Sequence, residues 1–211
     1  MTEPVTAKSD VKREHPDLYA PSAKEFALVD VPPMQFLAID GEGDPNTAPA
    51  YRDAVEALFG VAYAAKFASR RALGRDVVVA PLEGLWWADD PAAFTTGERG
   101  AWKWTLLLHQ PDWIERDAID AAIAATRAKR GRPALDLLRL DVVDEGRSVQ
   151  ILHIGPYRDE APTLARLHDE WMPRHGLTFN GPHHEIYLSD ARRTAPERLR
   201  TVLRQPVRPA T

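Results

Sequence analysis

The sequence predicts an α+β fold of two fused strand-helix-strand-strand modules, with antiparallel sheets, helices on one side and a cleft between the halves. Three observations carry this. Apolar runs of strand length recur along the chain, residues 49–73 have helical periodicity, and the last third repeats the order of the first. Neither half is long enough to bury both faces of its sheet alone, so the two must share a core and meet along a cleft.

Each element has its own warrant. Residues 1–33 carry Pro4, Pro16, Pro21, Pro32 and Pro33 among charges and read as an arm across the surface of a domain spanning 34–211. Phe36 to Ile39 form a strand that ends at Gly41-Glu42-Gly43. A helix over 49–73 places Tyr51, Val55, Leu58, Ala62 and Ala65 at spacings of three and four, and Gly74 stops it. Val77-Val78-Val79 opens a strand over 76–87; residues 102–110 are its antiparallel partner after a turn-rich connection, 89–100. Asp112 and Glu115 have capping-box spacing ahead of a helix to about Arg130, ended by Gly131 and Pro133, which closes a first half, 34–132. The second half, 133–211, has strands at 135–143 and 148–153 around Glu145-Gly146, then a Gly155-Pro156 turn. A helix with Leu164, Leu167 and Trp171 on one face follows, ended by Gly176, then a strand over 183–189, a short turn of helix capped by Thr194 and an extended segment, 199–207.

Composition narrows the function classes. The 211 residues are 44% hydrophobic, enough for a core, and include no cysteine, which excludes a disulfide framework, thiolate metal sites and a cysteine nucleophile. Residues 1–16 have no apolar signal region, and no window approaches the roughly 20 apolar residues of a membrane span. A soluble, cytoplasmic protein is expected, with no membrane partner. The net charge of -4 does not present the field that neutralises phosphates, so no nucleic-acid partner is expected either. Arginine clusters at 70–75, 127–132 and 192–193 sit near helix ends or turns, where the helix dipole and solvation account for them.

The chemistry-bearing residues gather on a few strands. Alternation puts Glu185, Tyr187 and Ser189 on one face and His184, Ile186 and Leu188 on the other. If the apolar face marks the helix-packed core, Glu185 borders the cleft, partly desolvated and ready for a cation or a proton; the alternative is a Glu paired to an arginine at a sheet edge. Glu83, among Pro81, Leu82, Leu85, Trp86 and Trp87, is either a second cleft acid or a strand irregularity whose side chain escapes to water. Trp86, Trp87, Trp102 and Trp104 fall on one hairpin, where indoles fill core or stack on flat and cationic ligands; Trp86 and Trp104 are the ligand-facing candidates. Tyr157 follows a Gly-Pro turn, where it reaches over a cavity mouth or simply packs. Tyr51 holds a comparable place on the first helix. His153, on the face of Ile151 and Val149, is a bonded core histidine or a donor to the ligand. His183, His184 and Glu185 are consecutive; adjacent strand residues point oppositely, so the two histidines cannot both ligate one ion without a bulge, and no metal is expected. Gly41-Glu42-Gly43 is followed by Asp44, which repels phosphate, so no nucleotide cofactor is expected.

Three segments, Pro81 to Trp87, His153 to Tyr157 and His183 to Asp190 with Arg192, Arg193 and Thr194, resemble the stand-alone branch of the GyrI-like small-molecule-binding family. The likeness runs from about Pro32 to Val207 and includes Ile39-Asp40-Gly41 and the helix segment from Gly60 to Phe67. It implies a pseudo-twofold pair of modules around a ligand cavity, related to effector domains of multidrug-sensing transcription regulators, which hold planar and often cationic drugs between aromatic rings and a buried glutamate. Glu185 looks most like that glutamate. Some relatives hydrolyse the cyclopropane ring of DNA-alkylating natural products; by that likeness Glu185, Tyr157 and Glu83 form the candidate catalytic set. Trp86, Trp104, Tyr187, His153, Tyr51, Phe67 and Trp171 form the ligand-binding one. This chain departs from the regulators in carrying no DNA-binding domain. A small-molecule binder, a hydrolase and a module that protects a partner protein remain three readings, and the sequence identifies no protein partner.

Overall fold

The computed structural model describes residues 8–90, 96–129, 131 and 133–210. Parts of the arm, the 89–100 connection and the end of the second helix, Arg130 included, lie outside them.

Nine strands are present among the described residues: β1 (Ala27–Val31), β2 (Met34–Glu42), β3 (Leu82–Trp87), β4 (Lys103–His109), β5 (Arg139–Val143), β6 (Gly146–Ile154), β7 (Leu177–Phe179), β8 (His183–Tyr187) and β9 (Arg200–Pro209). Eight of them run in the order β1-β6-β9-β8-β3-β4-β2-β5, and β7 pairs with β9. Every pairing of these strands is antiparallel. The expected halves therefore meet edge to edge, through β3 and β8, in one continuous sheet. Strands β3-β4-β2 and β8-β9-β6 follow the same spatial sequence outward from that junction.

Two short helices, α1 (Val11–Glu14) and α2 (Pro16–Tyr19), belong to the arm. The long helix α3 (Pro49–Leu73) starts on a proline and ends at Gly74, whose φ of 65° is the left-handed stop expected of it. Helix α4 is Arg116–Lys129. The last helix, α5, has three successive pieces: Ala161–Ala165, a π-helical Arg166–Trp171 and Met172–Arg174.

The faces of the sheet are covered differently. Leu37, Ile39, Leu106, Leu108, Trp86 and Trp104 pack under α3 and α4, and Val149 packs with Leu167 and Met172 of α5. Phe36, Ala38, Leu107, Leu152, Ile186 and Val202 point the other way and are closed over by Val11, Leu18 and Tyr19 of the arm.

Two readings change here. The Val77-Val78-Val79 run is not part of β3; Ser9 of the arm bridges Val77, and the strand starts only at Leu82. Local β propensity there serves arm docking instead. Residues 27–31, inside the stretch read as an arm, form β1 and extend the sheet beyond β6. Four apolar residues out of five, Ala27, Leu28, Val29 and Val31, let that segment pair despite its proline-rich surroundings.

Candidate functional site

On β8 the alternation holds and its interpretation reverses. His184 and Ile186 face the arm, whereas His183, Glu185 and Tyr187 share the helix-covered face with Trp86 and Gly84, their neighbours on β3. Glu185 thus looks into the helix side of the sheet because the apolar partners of the other face mark the arm-packed core.

Around Glu185 the rings assemble from β8, β3, α3, β4 with the residue ahead of it, and the turn that precedes α5. The Tyr187 hydroxyl donates to Glu185 Oε2 at 2.8 Å, and Trp86 Nε1–H donates to the Tyr187 hydroxyl at 3.1 Å. Tyr51, from the first turn of α3, lies parallel to Trp86 at 6.1 Å and edge-on to Trp104 at 5.3 Å. Trp102 meets Trp86 edge-on at 5.9 Å, and Tyr157 meets Tyr187 edge-on at 5.6 Å. Two glycines make room: a Cβ on Gly41 would lie 2.1 Å from the Trp104 ring, and one on Gly84 would lie 2.8 Å from Trp86 Nε1. These close approaches seat both indoles flat over the strands.

Depth differs among these rings. Trp104 and Trp86 are buried, Tyr51, Trp102 and Tyr187 are half-buried, and Tyr157 stands exposed at the edge. Trp104 therefore backs the cluster, and the phenols and Trp102 form its outer layer. Trp102, which alternation puts on the same face as Trp104, is not among the expected ligand-facing residues, and it joins the cluster from just ahead of β4.

The electrostatics favour proton uptake. Burial pushes Glu185 up to about 7, against the pull of the Tyr187 hydroxyl and of positive His184. His183 Nε2 lies 3.7 Å from Glu185 Oε1, and burial drives that imidazole down to about 3, so it is neutral there. Tyr157 is raised to about 12 by burial and by Glu160 and Glu185. Glu160 is the residue the sequence reading missed. Buried at the start of α5, it rises to about 9 through burial and the charge of Glu185. Its place before Ala161-Pro162 signals a helix start, but nothing local tells that the side chain turns toward the sheet.

Glu83 is on the opposite face and serves neither expected role. It is fully buried, accepts from the Tyr19 hydroxyl at 2.8 Å and lies 3.0 Å from His184 Nε2. His184 Nδ1 is 2.9 Å from Glu145, and Arg204 donates to Glu145, to Gln150 and to the Leu18 carbonyl at 3.0, 3.0 and 2.8 Å. Gln150 donates to the Asp17 carbonyl. Burial alone would lower His184, yet Glu145 and Glu83 raise it to about 9; Glu145 falls to about 2 against burial, through His184 and Arg204. Two carboxylates balance an imidazolium and a guanidinium, and the network clips the arm to the sheet. His184 is the charge partner that lets Glu83 be buried, and its distance along the sequence hides it.

Other candidates scatter. His153 lies on the helix-covered face opposite Thr201, with Nε2 3.4 Å from the Pro156 carbonyl. Phe67 is 51% exposed and stacks on Tyr63. It lines an open groove of about 700 Å³ between α3 and α4, with Ala64, Ala68, Arg71, Ala121 and Ala125, outside the ring cluster. Trp171 packs on Phe26 and stacks on His175. Neither ring contacts those of the cluster in these pairings, since helical periodicity gives a side chain's face but not which neighbour covers it. Among the described residues no group of three His, Asp or Glu side chains is placed to hold a metal ion. Nor is any described helix long and apolar enough to cross a membrane.

Comparison with known proteins agrees with this architecture. The family model of the GyrI-like small molecule binding domain matches residues 106–208. A crystal structure of an uncharacterized conserved protein from Listeria innocua is 37% identical, with a TM-score of 0.88 over 95% of this chain and 100% of that one. Another, described as a hydrolase from Listeria innocua, is 37% identical with a TM-score of 0.82 over the same shares. The EcmrR C-terminal domain shares the fold at 10% identity, with a TM-score of 0.53 over 88% of this chain and 98% of that one. No curated protein sequence matches the chain. On the sheet, the helix-covered aromatic face and these likenesses, the chain belongs to the GyrI-like small-molecule-binding domain family.

Proposed function

We propose that the ring cluster around Glu185 is the ligand site, and that it binds planar, hydrophobic small molecules carrying a cationic or electrophilic centre. The observation that carries this reading is Glu185 itself: an acid with 16% of its side chain exposed, held by one phenol and bordered by indoles and phenols. A cation over such rings gains about 0.5–2 kcal/mol per contact, and Glu185 supplies the counter-charge. The ligand is taken from the cytoplasm, with no nucleic acid or membrane involved. Titration with ethidium, followed by quenching of tryptophan fluorescence, tests it. Glu185→Gln is expected to weaken binding at least tenfold, which at about 1.4 kcal/mol is less than breaking a buried charge pair costs. Equal affinity of the two proteins overturns the proposal.

The hydrolase reading is favoured by the 37% identical structure described as a hydrolase. Here a water oxygen bonds to a strained cyclopropane carbon, and the ring C–C bond breaks. The electron pair moves to a conjugated carbonyl oxygen, which takes up a proton. Glu185 accepts the proton the water loses, and Tyr157 donates a hydrogen bond to the oxygen that gains charge. Incubation with a cyclopropane-containing alkylating agent is expected to yield the ring-opened hydrate, and Glu185→Gln to abolish turnover. Stoichiometric binding without product leaves the first reading alone.

A further inference from the structure

The geometry points to Glu160 as a second acid of the Glu185 site, one that donates a hydrogen bond from its carboxyl O–H to an acceptor oxygen on the ligand. The ligands so selected are flat ring systems bearing a carbonyl. This rests on the ring cluster around Glu185 being the ligand site.

Glu160 occupies the cap position of α5, yet its side chain makes no capping hydrogen bond to the helix. A carboxylate there is normally drawn to the free N–H groups of the first turn. Instead it is buried at 5% exposure, and its Oε1 has no hydrogen-bond partner. The titratable groups that act on it or respond to it are Glu185 and Tyr187 of β8 and Tyr157 of the preceding turn, and the Thr201 hydroxyl lies beside it. Two acids interact there in poor solvent, so a single shared negative charge is favoured over two. Burial and the charge of Glu185 push Glu160 upward, so it holds a proton at neutral pH. A buried acid with an unpartnered oxygen lacks part of its hydrogen bonding, and a ligand acceptor restores it. A carbonyl oxygen fits: it accepts, carries no charge and stays in the plane of an aromatic system.

Fluorenone and fluorene, which differ by one carbonyl, are the probes, with free ligand measured by equilibrium dialysis. The wild-type protein is expected to prefer fluorenone by about five- to tenfold, the yield of one net hydrogen bond. Glu160→Gln, whose amide still donates, is expected to keep the preference; Glu160→Leu, which cannot donate, is expected to bind both probes equally. Raising the pH through about 9 should abolish the wild-type preference and leave that of Glu160→Gln in place, which a structural role would not produce. An unchanged preference in Glu160→Leu, or none in the wild type while ethidium still binds, overturns the inference and leaves the ligand site standing. Failure of ethidium, fluorenone and fluorene alike to bind the wild type overturns both.

Discussion

Tyr19→Phe deletes one oxygen and tests how the arm is held. The ring is 3% exposed and packs with Leu18, Ala38 and Leu107, so the change leaves apolar burial in place. What is lost is the 2.8 Å bond from the Tyr19 hydroxyl to Glu83. A hydrogen bond to a charged group contributes about 1.5–3 kcal/mol. Glu83 keeps its contact with His184 at 3.0 Å, which puts the loss toward the lower end, near 2 kcal/mol. For a chain of about 200 residues that is a fall in Tm of about 4–8 °C. Thermal and urea denaturation measure it, and hydrogen exchange should show faster exchange of the α1 and α2 amides than of β4 amides. A cycle with Glu83→Gln should show coupling of at least about 1 kcal/mol. Ethidium affinity is expected to stay the same, because Glu83 and Glu185 are on opposite faces. A melt within about 1 °C of the parent, or a marked loss of ethidium binding, refutes the assignment of Glu83 to the arm clip.

Three further outcomes follow from the same geometry. His184 titrates near 9 folded against 6.5 ordinarily, so the stability it contributes is complete below pH 6.5 and is lost as pH rises through about 9; the difference between parent and His184→Gln in urea denaturation should shrink by about 3 kcal/mol across that window. Gly41→Ala puts a methyl into the Trp104 ring, and overpacking of this kind should lower stability by about 3 kcal/mol and alter the near-ultraviolet circular dichroism of the indoles. Phe67→Ser, on the exposed α3 groove, should leave ethidium affinity unchanged and stability within about 0.5 kcal/mol.

Most of the fold was legible because it rests on periodicity. The 49–73 helix and its glycine stop match α3 residue for residue, since proline, apolar spacing and Gly74 are all local signals. The alternation of β8 was legible too, but not which face the helices cover. That depends on the arm, whose apolar positions Val11, Leu18 and Tyr19 are too sparse to announce a second covering layer. Glu83 illustrates the same gap. Its burial was readable from its apolar neighbours, whereas its partners come from positions 19, 145, 184 and 204 and meet only in the folded chain. Glu160 was missed for the opposite reason, since a helix-start acid ordinarily points to solvent or caps its own helix.

Strand β8 therefore separates two kinds of buried acid by one residue of alternation. On the arm side Glu83 and Glu145 have their charges matched by His184 and Arg204, which is what a structural network requires in order to be buried without strong destabilisation. On the helix side Glu185 and Glu160 have hydroxyls and a neutral imidazole near them but no cation within ion-pair distance among the described residues. An acid so placed is satisfied only by a proton or by a ligand, and its raised titration is the expression of that deficit. The two sides still communicate, because the positive charge on His184 lowers the cost of ionising Glu185. By holding that imidazole between two carboxylates, the arm network keeps one charge of the acid pair available to a cation at neutral pH, while repulsion keeps the proton on the other.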